Sequence, residues 1–145
     1  MKIRRMDHIG INVNDYAAAK AFFLDLGFEV EGEAESESEW LDTIIGLTGA
    51  KTKFAMLKTP EGGAKIELIK YYTPPDEQGI QPSAANTLGI RHISLVVDDI
   101  DAVVANLKKK GTEIFSEIQQ YEDVYKLVYI RGPEGIILEL AQELN

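Results

Sequence analysis

Two glutamates interrupt apolar stretches that have the pattern of β-strands. Glu67 lies within AKIELIKYY, and Glu139 lies within IILELAQE near the other end of the chain. Taken alone, each fits a solvent-facing position of an amphipathic strand. The chain also contains two histidines, His8 and His92, and no cysteine. Imidazole and carboxylate are therefore the side-chain groups to consider for metal binding and for proton transfer.

The composition of the chain excludes several kinds of functional site and binding partner. The 145 residues are 45% hydrophobic and 27% charged, which is typical of one folded domain with a real core. The absence of cysteine excludes disulfides, thiolate zinc sites and cysteine nucleophiles. A net charge of −9 argues against nucleic acid as a partner, because such binding depends on Lys and Arg contacts to phosphate. No signal peptide or membrane span is predicted, so we expect a cytoplasmic protein without membrane partners.

The chain contains an internal repeat. The segment MDHIGINVNDYAAAKAFFLDLGFEV (6–30) aligns without a gap with IRHISLVVDDIDAVVANLKKKGTEI (90–114), with eight identities over 25 positions. His8 aligns with His92. Both copies later reach a Pro-Glu-Gly turn that leads into a strand containing one of the two glutamates.

The repeat divides the domain 1–145 into modules of about 4–72 and 88–143, joined by a linker of about 73–87 that is rich in proline. Both modules have the same predicted order of elements, βαβββ. The first module has a further insert (36–50), which could form a short helix.

In each module, Asp15 or Asp99 stands at a helix N-cap position, and Gly27 or Gly111 follows the helix. The predicted strands are Met6–Val13, Phe28–Glu35, Thr52–Lys58 and Ala64–Tyr71, then Ile90–Val97, Glu113–Gln119, Tyr125–Arg131 and Ile136–Ala141. The prediction is an α+β fold, in which two tandem βαβββ modules form a curved mixed sheet with the helices on its outer face.

Strand alternation places the polar residues on one face. Successive side chains point to opposite sides of a sheet, so the apolar neighbours face the helices. His8, Glu67, His92 and Glu139 then share the helix-free face. A buried carboxylate needs a charge partner, and no Lys or Arg occupies a matching repeat position. Two imidazoles and two carboxylates at symmetric positions are suitable ligands for a divalent transition metal.

These features resemble the vicinal oxygen chelate superfamily. The resemblance is carried by DHIGI and RHISL, which open the two modules, and by IEL and LEL, which close them. That superfamily includes glyoxalase I, methylmalonyl-CoA epimerase, extradiol dioxygenases, fosfomycin resistance proteins and bleomycin-binding proteins. The resemblance implies metal ligands at His8, Glu67, His92 and Glu139. Dioxygenases have no protein ligand at the position of Glu67, and epimerases have Gln there, so the set is most similar to bacterial glyoxalase I.

The resemblance also implies a function. One divalent metal ion (nickel, cobalt, zinc or manganese) would support a glyoxalase I-like lyase or isomerase that acts through a metal-bound enediolate on a small hemithioacetal or related carbonyl compound. Glu139 would be the catalytic base, and the repeat makes Glu67 nearly equivalent. The alternatives are an acyl-CoA epimerase similar to the methylmalonyl-CoA enzyme, and a non-catalytic protein that binds small molecules and confers resistance. The family and the exposed sheet edges predict a homodimer.

Overall fold

Each module of the chain forms its own compact unit. A computed structural model describes residues 1–145 and divides them into Met1–Gly79 and Ile80–Asn145, so the boundary falls inside the predicted linker. None of the helices is long and apolar enough to cross a membrane.

The two units share the order βαβββ, with an additional helix in the first and a short 3-10 turn in the second. The first contains β1 (His8–Asn12), α1 (Tyr16–Asp25), β2 (Glu29–Ser36), α2 (Glu39–Ile45), β3 (Lys51–Lys58) and β4 (Lys65–Thr73). The second contains β5 (His92–Val96), α3 (Ile100–Lys109), β6 (Gln119–Tyr121), β7 (Tyr125–Arg131), a short 3-10 turn (Pro133–Gly135) and β8 (Ile137–Glu143). The α+β fold of two βαβββ modules is confirmed, and α2 lies in the predicted insert.

Each unit has one four-stranded mixed sheet. The strand orders are β1-β4-β3-β2 and β5-β8-β7-β6, which are equivalent in the two modules. In both sheets the first strand of the module runs parallel to the last, and the other pairs are antiparallel. The strand that carries His8 or His92 is therefore hydrogen-bonded to the strand that carries Glu67 or Glu139.

Local sequence signals set the ends of the main helices. The side chains of Asp15 and Asp99 each accept a hydrogen bond from the backbone amide three residues further on, as predicted. Gly27 and Gly111 follow the helices with φ of +109° and +85°, a conformation that favours glycine. The repeat therefore begins and ends its helix in the same way in both units.

The predicted strand Glu113–Gln119 is wrong in its bounds. At its start only an isolated bridge forms, between Ile114 and Ile130. The chain then bends, and the Ser116 hydroxyl donates to the carbonyl of Glu117 within that bend. Regular pairing with β7 resumes only at β6. The sequence pattern did not reveal this interruption because it depends on pairing with a distant strand.

One face of each sheet supports the core. Leu68 and Leu140, next to Glu67 and Glu139, have no exposed surface. Their strands, β4 and β8, contact α1 and α3 respectively. Burial of one leucine side chain stabilises the fold by about 1.5–3 kcal/mol, so a one-residue slip of either strand would be costly. The core thereby holds both glutamates on the helix-free face of their own sheet.

Candidate functional site

The first half of the predicted site is a histidine–glutamate pair in the first unit. Gly10 of β1 lies opposite Glu67 of β4. Gly10 is two residues after His8, so His8 and Glu67 lie on the same face of the sheet. The Nε2 atom of His8 lies 3.6 Å from Oε1 of Glu67, and the two side chains are 37% and 25% exposed. This separation is too long for a hydrogen bond, so the two groups face each other without a direct bond.

The second unit contains the equivalent pair. Nε2 of His92 lies 3.5 Å from Oε1 of Glu139, and these side chains are 39% and 19% exposed. The structure therefore places the four predicted ligands in two pairs of nearly identical geometry, one pair in each unit. It contains no group of three or more His, Asp or Glu side chains arranged to hold a metal ion.

A carboxylate contacts the far side of the His8 ring. Oδ2 of Asp7 lies 2.7 Å from Nδ1 of His8, and Nη1 of Arg5 donates to Oδ1 of Asp7 at 2.7 Å. The hydrogen bond with His8, followed by the one from Arg5, lowers the pKa of Asp7 to about 2. Asp7 is therefore ionised at neutral pH and can only accept hydrogen bonds.

Two hydroxyl groups contact Glu139. The Ser94 hydroxyl donates to Oε2 of Glu139 at 3.2 Å, and the Tyr129 side chain also hydrogen-bonds this carboxylate. Burial, followed by the nearby charge of Glu139, raises the pKa of Tyr129 above its ordinary value of 10.0. The phenol is therefore protonated at neutral pH and can donate to the carboxylate.

The neighbours of Glu67 carry no hydroxyl groups. Ser94 and Tyr129 lie directly opposite Glu139 on the two flanking strands. The residues in the same places around Glu67 are Gly10 and Met56. The two glutamates are therefore equivalent in position and different in their hydrogen bonding.

Aromatic rings continue from His92 along the same sheet. The His92 and Tyr129 rings lie 5.0 Å apart between centroids, and the Phe115 and Tyr129 rings lie 6.0 Å apart. The guanidinium of Arg131 lies 4.9 Å from the centre of the Phe115 ring. Phe115 remains 38% exposed. This aromatic row, His92–Tyr129–Phe115, begins at the histidine of the second pair, and its rings are inclined to one another by 43° and 63°.

Sequence reasoning missed two residues that contact the pairs. Asp7 immediately precedes His8, and an acidic residue next to a candidate ligand is a signal that could have identified it. Ser94 is two residues beyond His92, so strand alternation alone puts it on the same face. The bond of Tyr129 to Glu139 depends on the register between β7 and β8, which the sequence does not specify.

The similarities to known proteins agree with this architecture. Escherichia coli YaeR is 30% identical over 145 residues, covering 97% of this chain and 98% of that protein. A glyoxalase family protein from Bacillus cereus is 40% identical with a TM-score of 0.94, covering 100% of this chain and 97% of that one. The trypanothione-dependent glyoxalase I of Leishmania major shares the fold at 22% identity and a TM-score of 0.67, covering 97% and 88% of the two chains.

Residues 5–140 match the family described as the glyoxalase/bleomycin resistance protein/dioxygenase superfamily. The matched region includes both histidine–glutamate pairs and all the helices and strands except the end of β8. With the paired modules, the equivalent strand orders and this match, the chain belongs to the glyoxalase/bleomycin resistance protein/dioxygenase superfamily.

Proposed function

We propose that the protein binds one divalent metal ion through His8, Glu67, His92 and Glu139, and that it is a glyoxalase I-like lyase or isomerase. Its substrate would be a small hemithioacetal or a related carbonyl compound. One observation carries this proposal: the same histidine–glutamate pair occurs in both modules, with Nε2–Oε1 distances of 3.6 and 3.5 Å. Nickel, cobalt, zinc and manganese all accept imidazole nitrogen together with carboxylate oxygen.

The spacing of the two donor atoms within each pair supports this proposal. Two atoms that are each about 2.1 Å from a common ion lie roughly 3.0–3.4 Å apart for ligand angles between about 90° and 109°. The distances within the two pairs exceed this range by only a few tenths of an ångström. Within each pair, the histidine and the glutamate form no direct hydrogen bond. The side chains are partly exposed, so an ion from solvent can reach them.

A bound metal ion supplies Lewis acidity, which stabilises negative charge on a substrate oxygen. The chain itself supplies the proton transfer. Glu139 removes the proton from the carbon next to the carbonyl and returns it to the adjacent carbon, so substrate and product are isomers. With a hemithioacetal, the hydroxyl proton also passes to the former carbonyl oxygen, and the product is a 2-hydroxyacyl thioester. The hydroxyls of Ser94 and Tyr129 fix the direction of the Glu139 carboxylate, which supports Glu139 as the base.

Metal analysis tests the ligand set directly. Metal content of the purified protein would be measured, followed by calorimetric titration of metal-free protein with Ni²⁺, Co²⁺, Zn²⁺ and Mn²⁺. The variant His8→Ala/His92→Ala should lose most of this binding. Glu39→Gln, which changes an exposed residue at the start of α2, is the control. Unchanged metal content in the double histidine variant would show that the proposed site is wrong.

A substrate screen tests the reaction. Metal-loaded protein would be mixed with methylglyoxal and a series of low-molecular-weight thiols, and thioester formation would be followed by absorbance. Acyl-CoA esters would be incubated in D₂O and examined by NMR for exchange of the α-proton. Exchange without thioester formation would favour the epimerase alternative.

The aromatic row supports a second candidate, a non-catalytic protein that binds small molecules. Its rings lie beside the second pair, and Phe115 keeps 38% of its surface exposed. An aromatic ligand could stack on them, which contributes about 0.5–1.5 kcal/mol beyond simple burial. Tight binding of such a ligand to metal-free protein, together with no turnover in the screen, would favour the binder over the enzyme.

We also propose that the protein is a homodimer. Each sheet ends in two edge strands, β1 and β2 in the first unit and β5 and β6 in the second. Exposed edges are usually covered, and a symmetric copy of the same chain is the commonest way to cover them. Sedimentation at micromolar concentration should give twice the chain mass of 16.1 kDa, and a monomer would contradict the proposal.

A further inference from the structure

The two histidines have different surroundings although they occupy equivalent positions. Nδ1 of His8 lies 2.7 Å from Oδ2 of Asp7. The other carboxylate oxygen of Asp7 accepts a hydrogen bond from Arg5. The residue in the same place before His92 is Arg91, whose guanidinium cannot accept a hydrogen bond. The His92 ring instead packs against Tyr129.

The contact with Asp7 determines where the proton of a neutral His8 ring lies. An ionised carboxylate only accepts, so at 2.7 Å the hydrogen must be on Nδ1. A neutral imidazole carries one ring proton, and Nε2 is then left with a free lone pair. Nε2 is also the atom that faces Glu67.

We propose that Asp7 is a positioning residue that fixes His8 in its Nδ1–H tautomer and directs the Nε2 lone pair toward Glu67. His92 has no such partner, so the two halves of the site are prepared for ligation to different degrees. The tautomer follows from the geometry alone; its use in metal binding rests on the proposed function.

Arg5 contributes to the same arrangement. Its Nη1 donates to the Asp7 oxygen that does not contact His8, which restricts rotation of the carboxylate. The pair is exposed, with 71% and 50% of the two side chains accessible, so Arg5 adds little stability to the fold. Its effect is on the direction of Asp7.

A prepared tautomer should strengthen metal binding. A ligating histidine must present a deprotonated nitrogen, and an outer carboxylate both selects that nitrogen and orients the ring. Loss of such partners typically lowers metal affinity by about 10–100-fold. We expect a loss of this size when Asp7 is replaced.

Nitrogen NMR tests the tautomer without metal or substrate. The chain has only two histidines, so long-range ¹H–¹⁵N spectra of metal-free protein at pH 8.5 should show two ring systems, assigned with His92→Gln. His8 should be the Nδ1–H form in the parent protein and should shift toward Nε2–H in Asp7→Ala. Asp7→Asn, which keeps an acceptor oxygen, should retain the Nδ1–H form in part. An Nε2–H form of His8 in the parent protein, or no change in Asp7→Ala, would overturn the proposal.

Calorimetric titration with Ni²⁺ tests the consequence for binding. Asp7→Ala should weaken Ni²⁺ affinity about 10–100-fold. Asp101→Asn removes the same charge from an exposed ion pair with Lys126 and should change affinity less than threefold. Equal losses in both variants would mean that Asp7 acts only through net charge, which overturns its positioning role. If the parent protein binds none of Ni²⁺, Co²⁺, Zn²⁺ and Mn²⁺, the proposed function fails, while the NMR result still decides the role of Asp7.

Discussion

Replacing Glu139 by Gln should separate the proposed metal binding from the proposed proton transfer. The substitution keeps the side-chain length and one oxygen, and it removes the charge and most of the basicity. A hydroxyl that contacts the remaining oxygen can still donate to it, whereas a hydroxyl that meets the NH₂ group must turn to accept from it. The structural change is therefore confined to two hydrogen bonds.

We expect a small change in the free energy of unfolding and a large change in turnover. Exchanging charge-assisted hydrogen bonds for neutral ones should lower the free energy of unfolding by roughly 1 kcal/mol. Loss of a general base lowers turnover by about 100-fold or more, which corresponds to about 2.7 kcal/mol of transition-state stabilisation. Metal affinity should fall modestly because an oxygen donor remains.

Three measurements distinguish these effects: urea unfolding, Ni²⁺ titration, and turnover at saturating metal. Glu143→Gln is the matched control, because Glu143 is exposed near the end of the same strand, and it should leave turnover unchanged. Glu67→Gln should be milder, since Glu67 lacks the hydroxyl contacts that orient Glu139. Equal losses in both glutamate variants would mean that the two carboxylates share the proton transfer. Full activity of Glu139→Gln with metal bound would refute the mechanism.

Three further results are expected. Divalent metal at 100 times its Kd should stabilise the parent protein by about 2.7 kcal/mol and raise its Tm in calorimetry, with no such rise in the double histidine variant. Leu140→Ala should lower the free energy of unfolding in urea by about 2–5 kcal/mol, because Leu140 is fully buried; a loss below 1 kcal/mol would contradict its place in the core. Hydrogen bonds from Tyr16 and then Lys20 lower the pKa of Glu33, so its contribution is present above the ordinary carboxyl value of 4.5 and is lost as pH falls through the lowered pKa. The stability difference between the parent protein and Glu33→Gln should therefore shrink between pH 7 and pH 3, and a constant difference would contradict this.

The fold was largely predictable because its main signals are local. The N-cap role of Asp15 and Asp99 depends on a few neighbouring residues, and the face of Glu67 depends on strand alternation. The gapless repeat then required both modules to have the same topology. The interruption before β6 was not predictable, because the bridge at Ile114 depends on a partner strand that the local pattern does not specify.

The residues of the candidate site follow from the sequence, whereas most of their contacts do not. Alignment of the two modules identified the histidines and glutamates, because the same residue types occur at matching positions of the repeat. Contacts between neighbouring strands require the register. Tyr129 reaches Glu139 only because β7 and β8 pair directly opposite at that point. The contact of Asp7 with His8 requires a particular side-chain rotamer, which the sequence does not specify.

A duplicated module would by itself supply two equal carboxylates and two equal imidazoles. Here the differences lie among the neighbours of those groups, because Glu139 accepts from two hydroxyls and His8 contacts a carboxylate. Proton transfer beside an ion requires groups with different tasks, and enzymes commonly create such differences through the environment of identical side chains. Exchanging the neighbours tests this directly: the variant Ser94→Gly/Tyr129→Met gives Glu139 the surroundings of Glu67. If the hydroxyls select the base, turnover should fall in this variant while both carboxylates remain; unchanged turnover would mean that the selection arises elsewhere.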